Sequence, residues 1–398
     1  MIKPEIMSPV KNLAGLEASR KYANAVYFSV SELSMRAGLK NITLANLNKF
    51  VKKCHEYKLK AYLALNCVLY NNDLPKAKKI ITKAKQVGVD AVIVWDMAVI
   101  EMARQAKIPF FISTQANVSN WQTALFYKKL GAKRVVLARE LTLKQIKELK
   151  KKVGNLEIET FVHGAMCYSI SGRCLLSAYL YGASANCGAC AQPCRKQYTL
   201  TDEDGRQIVT EGKYFMSAKD LCMIEHVPDL ITAGIDSFKI EGRKRDPRYV
   251  AITARAYREA VDAYFNKTLT ANKIIGWKKE LESVYNRGFS TGFYFGAPNK
   301  NGISYDQADN LSKTKKVLLG QVEHYFSRLS VATIKFSHQG VKIGQEIIFE
   351  GNATFARQKI DSMQIDGRPV AKAGKGVLVA IKTVQPVKKG DRVFTLAD

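Results

Sequence analysis

A chain of 398 residues, 47% hydrophobic and 24% charged, is too long for one ordinary core and has the composition of a globular protein in water. No apolar run reaches the roughly eighteen residues that span a bilayer, and the opening MIKPEIMSPV lacks the apolar stretch of a secretory signal. The expectation is a cytoplasmic protein with no membrane partner, whose 8 cysteines are not a disulfide framework. A total of 62 Lys and Arg against 35 Asp and Glu gives a formal net charge of +27, which focuses positive potential on a polyanion and points to RNA or DNA. Runs such as Lys150-Lys151-Lys152 also fit ordinary solvated helix faces.

In chain order, apolar β-branched runs at 5–10, 25–30, 60–66, 91–96, 110–115, 134–139, 156–163 and 236–241 read as strands, separated by amphipathic helical stretches such as 44–57 and 75–87. Eight strands each followed by a helix is the count that closes a (β/α)8 TIM-like barrel, here placed at 1–270. No G-x-G-x-x-G follows the first strand, which removes the main sign of a dinucleotide-binding sheet. Polar residues where strands end would share the barrel mouth: Ser8, Asn66, Asp96, Ser113-Thr114-Gln115 with Asn117, Arg139-Glu140, His163, and the run Lys239 to Arg245. Strand ends are also polar simply because loops are wet. A Cys-rich insertion at 164–222 follows the seventh strand, a last barrel helix is expected at 248–265, and 271–314 reads as a polar, glycine-rich connector. From 315 to 398 short alternating strands, near 317–325, 330–336, 345–350, 376–384 and 391–396, predict a small antiparallel β-barrel of a kind that presents loops to RNA.

The insertion carries Cys167, Cys174, Cys187, Cys190 and Cys194, with Gly164, Gly172, Gly182 and Gly188 for tight backbone. Thiols at this density select zinc or an iron–sulfur cluster. A structural zinc site presents two close pairs, and Cys167 and Cys174 are too far apart in sequence to form one, so iron–sulfur is preferred and zinc is kept as the alternative. Cys54, on a predicted helix, and Cys67, after a strand, read as buried small hydrophobes. Cys222, just before the last barrel strand, stands as a reserve ligand.

The stretch 159–177, ETFVHGAMCYSISGRCLLS, resembles the signature of the collagenase-like family of unassigned peptidases. Further blocks resemble that family in the same order, among them Lys3-Pro4-Glu5, Ala25-Val26-Tyr27, Ser113-Thr114-Gln115-Ala116-Asn117 and Phe238-Lys239-Ile240-Glu241-Gly242-Arg243. The resemblance implies an O2-independent hydroxylase with a 4Fe-4S cluster on a barrel. The reaction it implies forms 5-hydroxyuridine at the tRNA wobble position with prephenate as hydroxyl donor, or modifies a ribosomal RNA cytidine. Its implied cluster ligands are Cys167, Cys174, Cys190 and Cys194, with Cys222 in the place some relatives use. Cys187 departs from the pattern and is held in reserve. The terminal β-domain resembles the one on the tRNA-hydroxylating members.

Hydroxylating C5 of a pyrimidine requires an oxygen source, electron flow and a base held outside its stack. The two carboxylates of prephenate would be held by cations at the mouth, with Arg36, Arg139, Arg173, Lys239 and Arg243 as candidates and Gln115 and Asn117 as polar contacts. Glu140, His163 and Glu241 are the candidates for moving the C5 proton. Partners would be tRNA, prephenate and electron-transfer or cluster-assembly proteins. Two other readings compete. A peptidase needs a nucleophile or an open metal, and the chain has no H-E-x-x-H or G-x-S-x-G, leaving only Cys167 with His163 as a thiol–imidazole pair. A non-catalytic RNA-binding protein with a structural metal would bind RNA with no small-molecule dependence.

Overall fold

In the computed structural model, which describes residues 2–35, 41–208, 212–305 and 310–397, eight parallel strands close on themselves. They are β1 (Glu5–Pro9), β2 (Ala25–Phe28), β3 (Lys60–Ala64), β4 (Ala91–Val94), β5 (Phe110–Ile112), β6 (Arg134–Val136), β7 (Glu157–Gly164) and β8 (Ser237–Ile240). Each pairs in parallel with the next, and β8 pairs with both β7 and β1, which makes the ring complete. Every strand expected from the sequence is present.

The helices cover the ring because each has one apolar stripe. Leu143–Val153, for example, buries Ile146, Leu149 and Val153 and leaves its lysines outside, and it starts at a reciprocal cap between Thr142 and Gln145. Residues facing the helices are apolar: Ile6, Val26, Phe28, Leu63, Val92, Phe238 and Ile240 all belong to the main core. The inward residues are different. Met7, Tyr27, Tyr62, Ala64, Ile93 and Phe111 form a small cluster of their own. Below it Arg134 lies 2.6 Å from Glu5 and 3.0 Å from Glu159, and the other oxygen of Glu159 accepts from Lys239 at 2.7 Å. Burial opposes the charge on Arg134, but Glu159 and Glu5 outweigh it and push the guanidinium above its ordinary value. A barrel usually fills its inside with branched aliphatic layers. This one carries a chain of buried ion pairs up to its mouth.

The mouth is shaped by an irregularity between β7 and β8. Lys239 pairs with Phe161, but the next residue, Ile240, pairs with His163, so Val162–His163 contains one residue more than its partner strand. Past that point the inward–outward alternation of β7 is reversed. The short strand Asp220–Cys222 then pairs antiparallel with the end of β7 and parallel with Phe289–Ser290, carrying the ladder across the rim. The insertion itself is mostly loop, with one short helix, Leu176–Tyr181, and a small hairpin of Leu200–Thr201 with Gln207–Ile208.

After the helices Pro247–Phe265 and Ala271–Glu282 the chain forms an antiparallel sheet of eight short strands beginning at Lys315–Phe326, curled around a separate core that includes Leu319, Ile334, Phe336, Phe349 and Val393. The Gln358 amide spans two strands that are not neighbours in the ladder, donating to the Lys382 carbonyl at 2.8 Å. This domain sits beside the mouth. Asn352 accepts from the Ala14 amide at 3.2 Å, and Lys316 bridges Asp246, at the start of the last barrel helix, to Glu350 at 2.9 and 2.5 Å. Among the described residues no helix is long and apolar enough to cross a membrane.

Candidate active site at the barrel mouth

Above the inward ends of the strands lies a cavity of about 730 Å³. Its floor is the barrel interior: Tyr27, Ala64, Ile93 and Phe161, with Lys239 and Glu241 rising from β8 and its end. Its roof is the insertion, which contributes Cys167, Cys190 and Cys194. Eight cationic side chains line it (Arg139, Arg195, Lys196, Lys239, Arg243, Lys244, Arg245 and Arg287) against a single carboxylate, Glu241. Burial, together with the repulsion of Arg243, pushes the Lys239 ammonium below its ordinary value against the pull of Glu159. Burial and Arg287 do the same to Arg195. Glu159 behind Lys239 and Asp220 behind Arg287 offset part of this charge, and the remaining excess of cations favours an anion of small size.

The cations are held in place by neighbours. Arg139 donates to the Ala165 carbonyl at 2.7 Å and lies over the Phe161 ring at 3.9 Å. Arg243 donates to Ser34 at 3.2 Å and stacks on Tyr27, whose hydroxyl donates to Glu241 at 3.1 Å. Arg195 is spent on the backbone of the rim, donating to the Met166 and Ala218 carbonyls and to Ser217. Arg287 stands 3.5 Å from buried Asp220.

The cysteines separate into three groups. Burial pushes the Cys194 thiol up, Arg195 pulls it back, and Cys167, Cys190 and Cys174 add to the rise, so these four thiols are near neighbours. Two of them receive a backbone N–H from two residues on, Ser169 to Cys167 and Gln192 to Cys190, each at 3.4 Å. Cys187 instead faces Cys67 and the Tyr70 hydroxyl, and the chain is pinned there by the Val68 amide donating to the Asn186 carbonyl at 3.0 Å. Cys222 is buried beneath the rim, 4.0 Å from the Tyr257 hydroxyl, and burial pushes its thiol up to about 12. Of the two reserve ligands, Cys222 lies beneath the rim, and Cys187 adjoins Asn186, whose side chain accepts from the Cys174 amide at 3.1 Å. Cys54 is fully buried, its thiol likewise pushed up to about 12 by burial.

Four neighbouring thiols are a ligand set that fits a 4Fe-4S cluster and also a tetrahedral zinc ion. Zinc, with bonds of about 2.3 Å, draws four sulfurs into one tight tetrahedron. A cubane cluster takes one thiolate at each of four irons, and its negative charge matches the cationic walls.

The other site residues expected from the sequence fall in different places. His163 is turned outward by the irregularity in β7 and is sealed among Tyr249, Tyr257 and Phe289, its ring pushed down to about 3 by burial. It lines neither this cavity nor the smaller one described next, so it is no proton carrier there and forms no pair with Cys167. Gln115 ties the barrel to the insertion, donating to the Ser171 carbonyl at 3.1 Å and accepting from Asn66 at 3.2 Å. Arg173 donates to the Gln115 carbonyl at 3.2 Å and lies over Trp95, outside the cavity lining. Asn117 and Glu140 line a second cavity of about 270 Å³ on the far side of the Cys167 loop. Arg36 lies outside the described residues. Arg195 and Arg287 were not among the expected residues. The first directly follows Cys194 and the second stands in a glycine-rich connector, Asn286-Arg287-Gly288, and those positions are the signal that points to them.

Residues 12–304, from just after β1 through the rest of the barrel, its insertion and most of the following connector, match the family model described as peptidase family U32. The chain belongs to that family. Relatives include an uncharacterized protease of Methanocaldococcus jannaschii, 45% identical over 100% of this chain and 99% of its own. A collagenase of Porphyromonas gingivalis is 36% identical, covering 98% of this chain and 97% of its own. The tRNA hydroxylation protein P1 of Bacillus subtilis is 34% identical over 88% of this chain and 84% of its own. The U32 family thus includes proteins named for proteolysis and proteins named for tRNA hydroxylation, and the chemistry must be argued from the site.

Proposed function

We propose that this protein hydroxylates C5 of a pyrimidine in RNA, converting the wobble uridine of tRNA to 5-hydroxyuridine without O2. The hydroxyl donor would be prephenate, and a 4Fe-4S cluster would be held by Cys167, Cys174, Cys190 and Cys194. The observation that carries this reading is the 730 Å³ cavity, whose walls are eight cations to one carboxylate and whose roof includes three of the four gathered cysteines. A peptide bond asks for no such field. A small dianion does, and Arg139, Arg243 and Lys239 are placed to pair with carboxylates.

The sum is balanced between the two substrates. A C5–H bond of the base and a C–O bond of the donor break, a C5–O bond forms, and the donor carbon takes the hydrogen. The base is oxidised by two electrons and the donor is reduced by two, so no outside electron donor enters. When bound, the cluster would supply redox and Lewis-acid chemistry at the cavity roof. The chain's own residues bind the donor through the cations, exclude bulk water beneath the insertion, and offer Glu241 and Glu140 as carboxylates to move the proton. Cluster-assembly proteins would load the site.

The test is to purify the protein without O2 and measure iron, sulfide and zinc per chain for the natural sequence and for Cys167→Ala, then to look for 5-hydroxyuridine in tRNA incubated with prephenate. About four irons and four sulfides per chain, lost in the variant, with prephenate-dependent 5-hydroxyuridine, are expected. Stoichiometric zinc would overturn the cluster, and product found only in ribosomal RNA cytidine would move the substrate.

A further inference from the structure

The loop from Cys167 to Ser171 is a wall with a cavity on each side. Thr114, Arg139, Met166, Cys167 and Ser171 line both. The loop is braced from two directions, by Gln115 donating to the Ser171 carbonyl at 3.1 Å and by Ser169 donating to the Arg173 carbonyl at 2.6 Å. Cys167 therefore borders both spaces rather than one.

The two spaces differ in charge and in size. The larger has the eight-to-one excess of cations already described. The smaller, about 270 Å³, has two cations, Arg139 and Lys219, and one carboxylate, Glu140, and so is close to neutral. It lies just under the range of about 300–1,000 Å³ that accommodates drug-sized ligands. Its walls combine ring and aliphatic surface, from Tyr168, Phe293 and Ile170, with amides from Asn117 and Asn299. Tyr168 stands 54% exposed at its opening, and Asn117 is held in the left-handed region at φ 51°. A near-neutral slot with a ring to stack on and amides to meet a Watson–Crick edge has the chemistry of a pocket for an extruded base.

Resting on the reading of a two-substrate hydroxylase given above, we infer that the smaller cavity is the seat of the flipped-out pyrimidine and the larger one the seat of the anionic donor, with the Cys167 loop between them. Glu140 is then the carboxylate on the side of the base, and Glu241 the one on the side of the donor. The two carboxylates thus serve different substrates.

The inference is tested by light-induced crosslinking of the full-length, anaerobically purified protein to an anticodon stem–loop RNA that carries 5-bromouridine at the wobble position, with the adduct mapped by mass spectrometry. The expected adduct is on Tyr168 or Phe293. Adducts on Tyr27 or Tyr285, in the larger cavity, or none in either cavity, would overturn the assignment. In steady-state assays Phe293→Ala should raise the KM for tRNA roughly tenfold or more and leave the KM for prephenate where it was. A change in the prephenate KM instead would reverse the two seats. An adduct on Tyr168 or Phe293 with no 5-hydroxyuridine formed would sink the hydroxylase and keep the base seat. Hydroxylation with the adduct on Tyr27 or Tyr285 would do the opposite.

Discussion

His163 is the residue whose sequence position and structural role diverge most. It stands at a strand end four residues before Cys167, the first cysteine of the insertion, where a proton carrier is expected, yet it is 1% exposed and packed against three aromatic rings. Burial is the cause of its depressed value of about 3, and the linkage to stability has a definite sign. In the unfolded chain an imidazole takes a proton below about pH 6.5, whereas in the fold it stays neutral. Its contribution is therefore complete above pH 6.5 and is lost as pH falls from there toward 3. With iron content held equal, urea unfolding at pH 7 and pH 5 should show the natural protein losing more stability than His163→Asn, by about 1–2 kcal/mol. Equal losses would mean that the folded imidazole takes the proton after all. Activity at pH 7 should follow the stability of the variant rather than a missing proton transfer, since the ring reaches neither cavity.

At the scale of elements, the eight barrel strands could be read from sequence because each outward face is apolar, and the insertion because five cysteines cannot be packing. What could not be read is the extra residue in β7, since a β-bulge leaves no mark in composition and yet decides that His163 does not follow Phe161 into the cavity. The sorting of the cysteines was hidden for a related reason. Cys187 is close in sequence to Cys190 but faces Cys67, far earlier in the chain, and only the contact of the insertion with the loop after β3 brings the two together. The end of β7 gives a direct test of how tightly these elements meet. Gly164 has φ 101°, and a Cβ there would lie 2.5 Å from the Glu241 carbonyl and 2.9 Å from the Tyr249 hydroxyl. Gly182, at φ 62° in the insertion, has open space around it. Gly182→Ala should cost only the backbone strain, about 1 kcal/mol, whereas Gly164→Ala should cost about 2–4 kcal/mol by also forcing β7 and β8 apart at the mouth. Thermal melts of the two variants compare them, and equal shifts would show that the rim yields without cost.

At the scale of the whole molecule, the surplus of 27 positive charges is far larger than the cationic cavity accounts for, since only eight cations line it. The rest decorate helix faces of the barrel and the strands of the terminal domain, which is joined beside the mouth through Lys316, Asp246 and Glu350. A base entering the smaller cavity brings its own phosphates across this rim, and a folded RNA extends beyond it onto the neighbouring domain. If the surface charge serves that contact, binding must release counterions and weaken with salt. A footprint of about six to ten phosphates would lower affinity by roughly 10³–10⁵ between 50 and 200 mM salt. Measured with unmodified tRNA by filter binding, a fall of that size is the expected outcome, and prephenate should show a much shallower dependence because its site engages a few fixed cations beneath the insertion. A tRNA affinity that changes less than about tenfold over the same range would mean that most of the surplus is solvated lysine and that recognition is confined to the mouth.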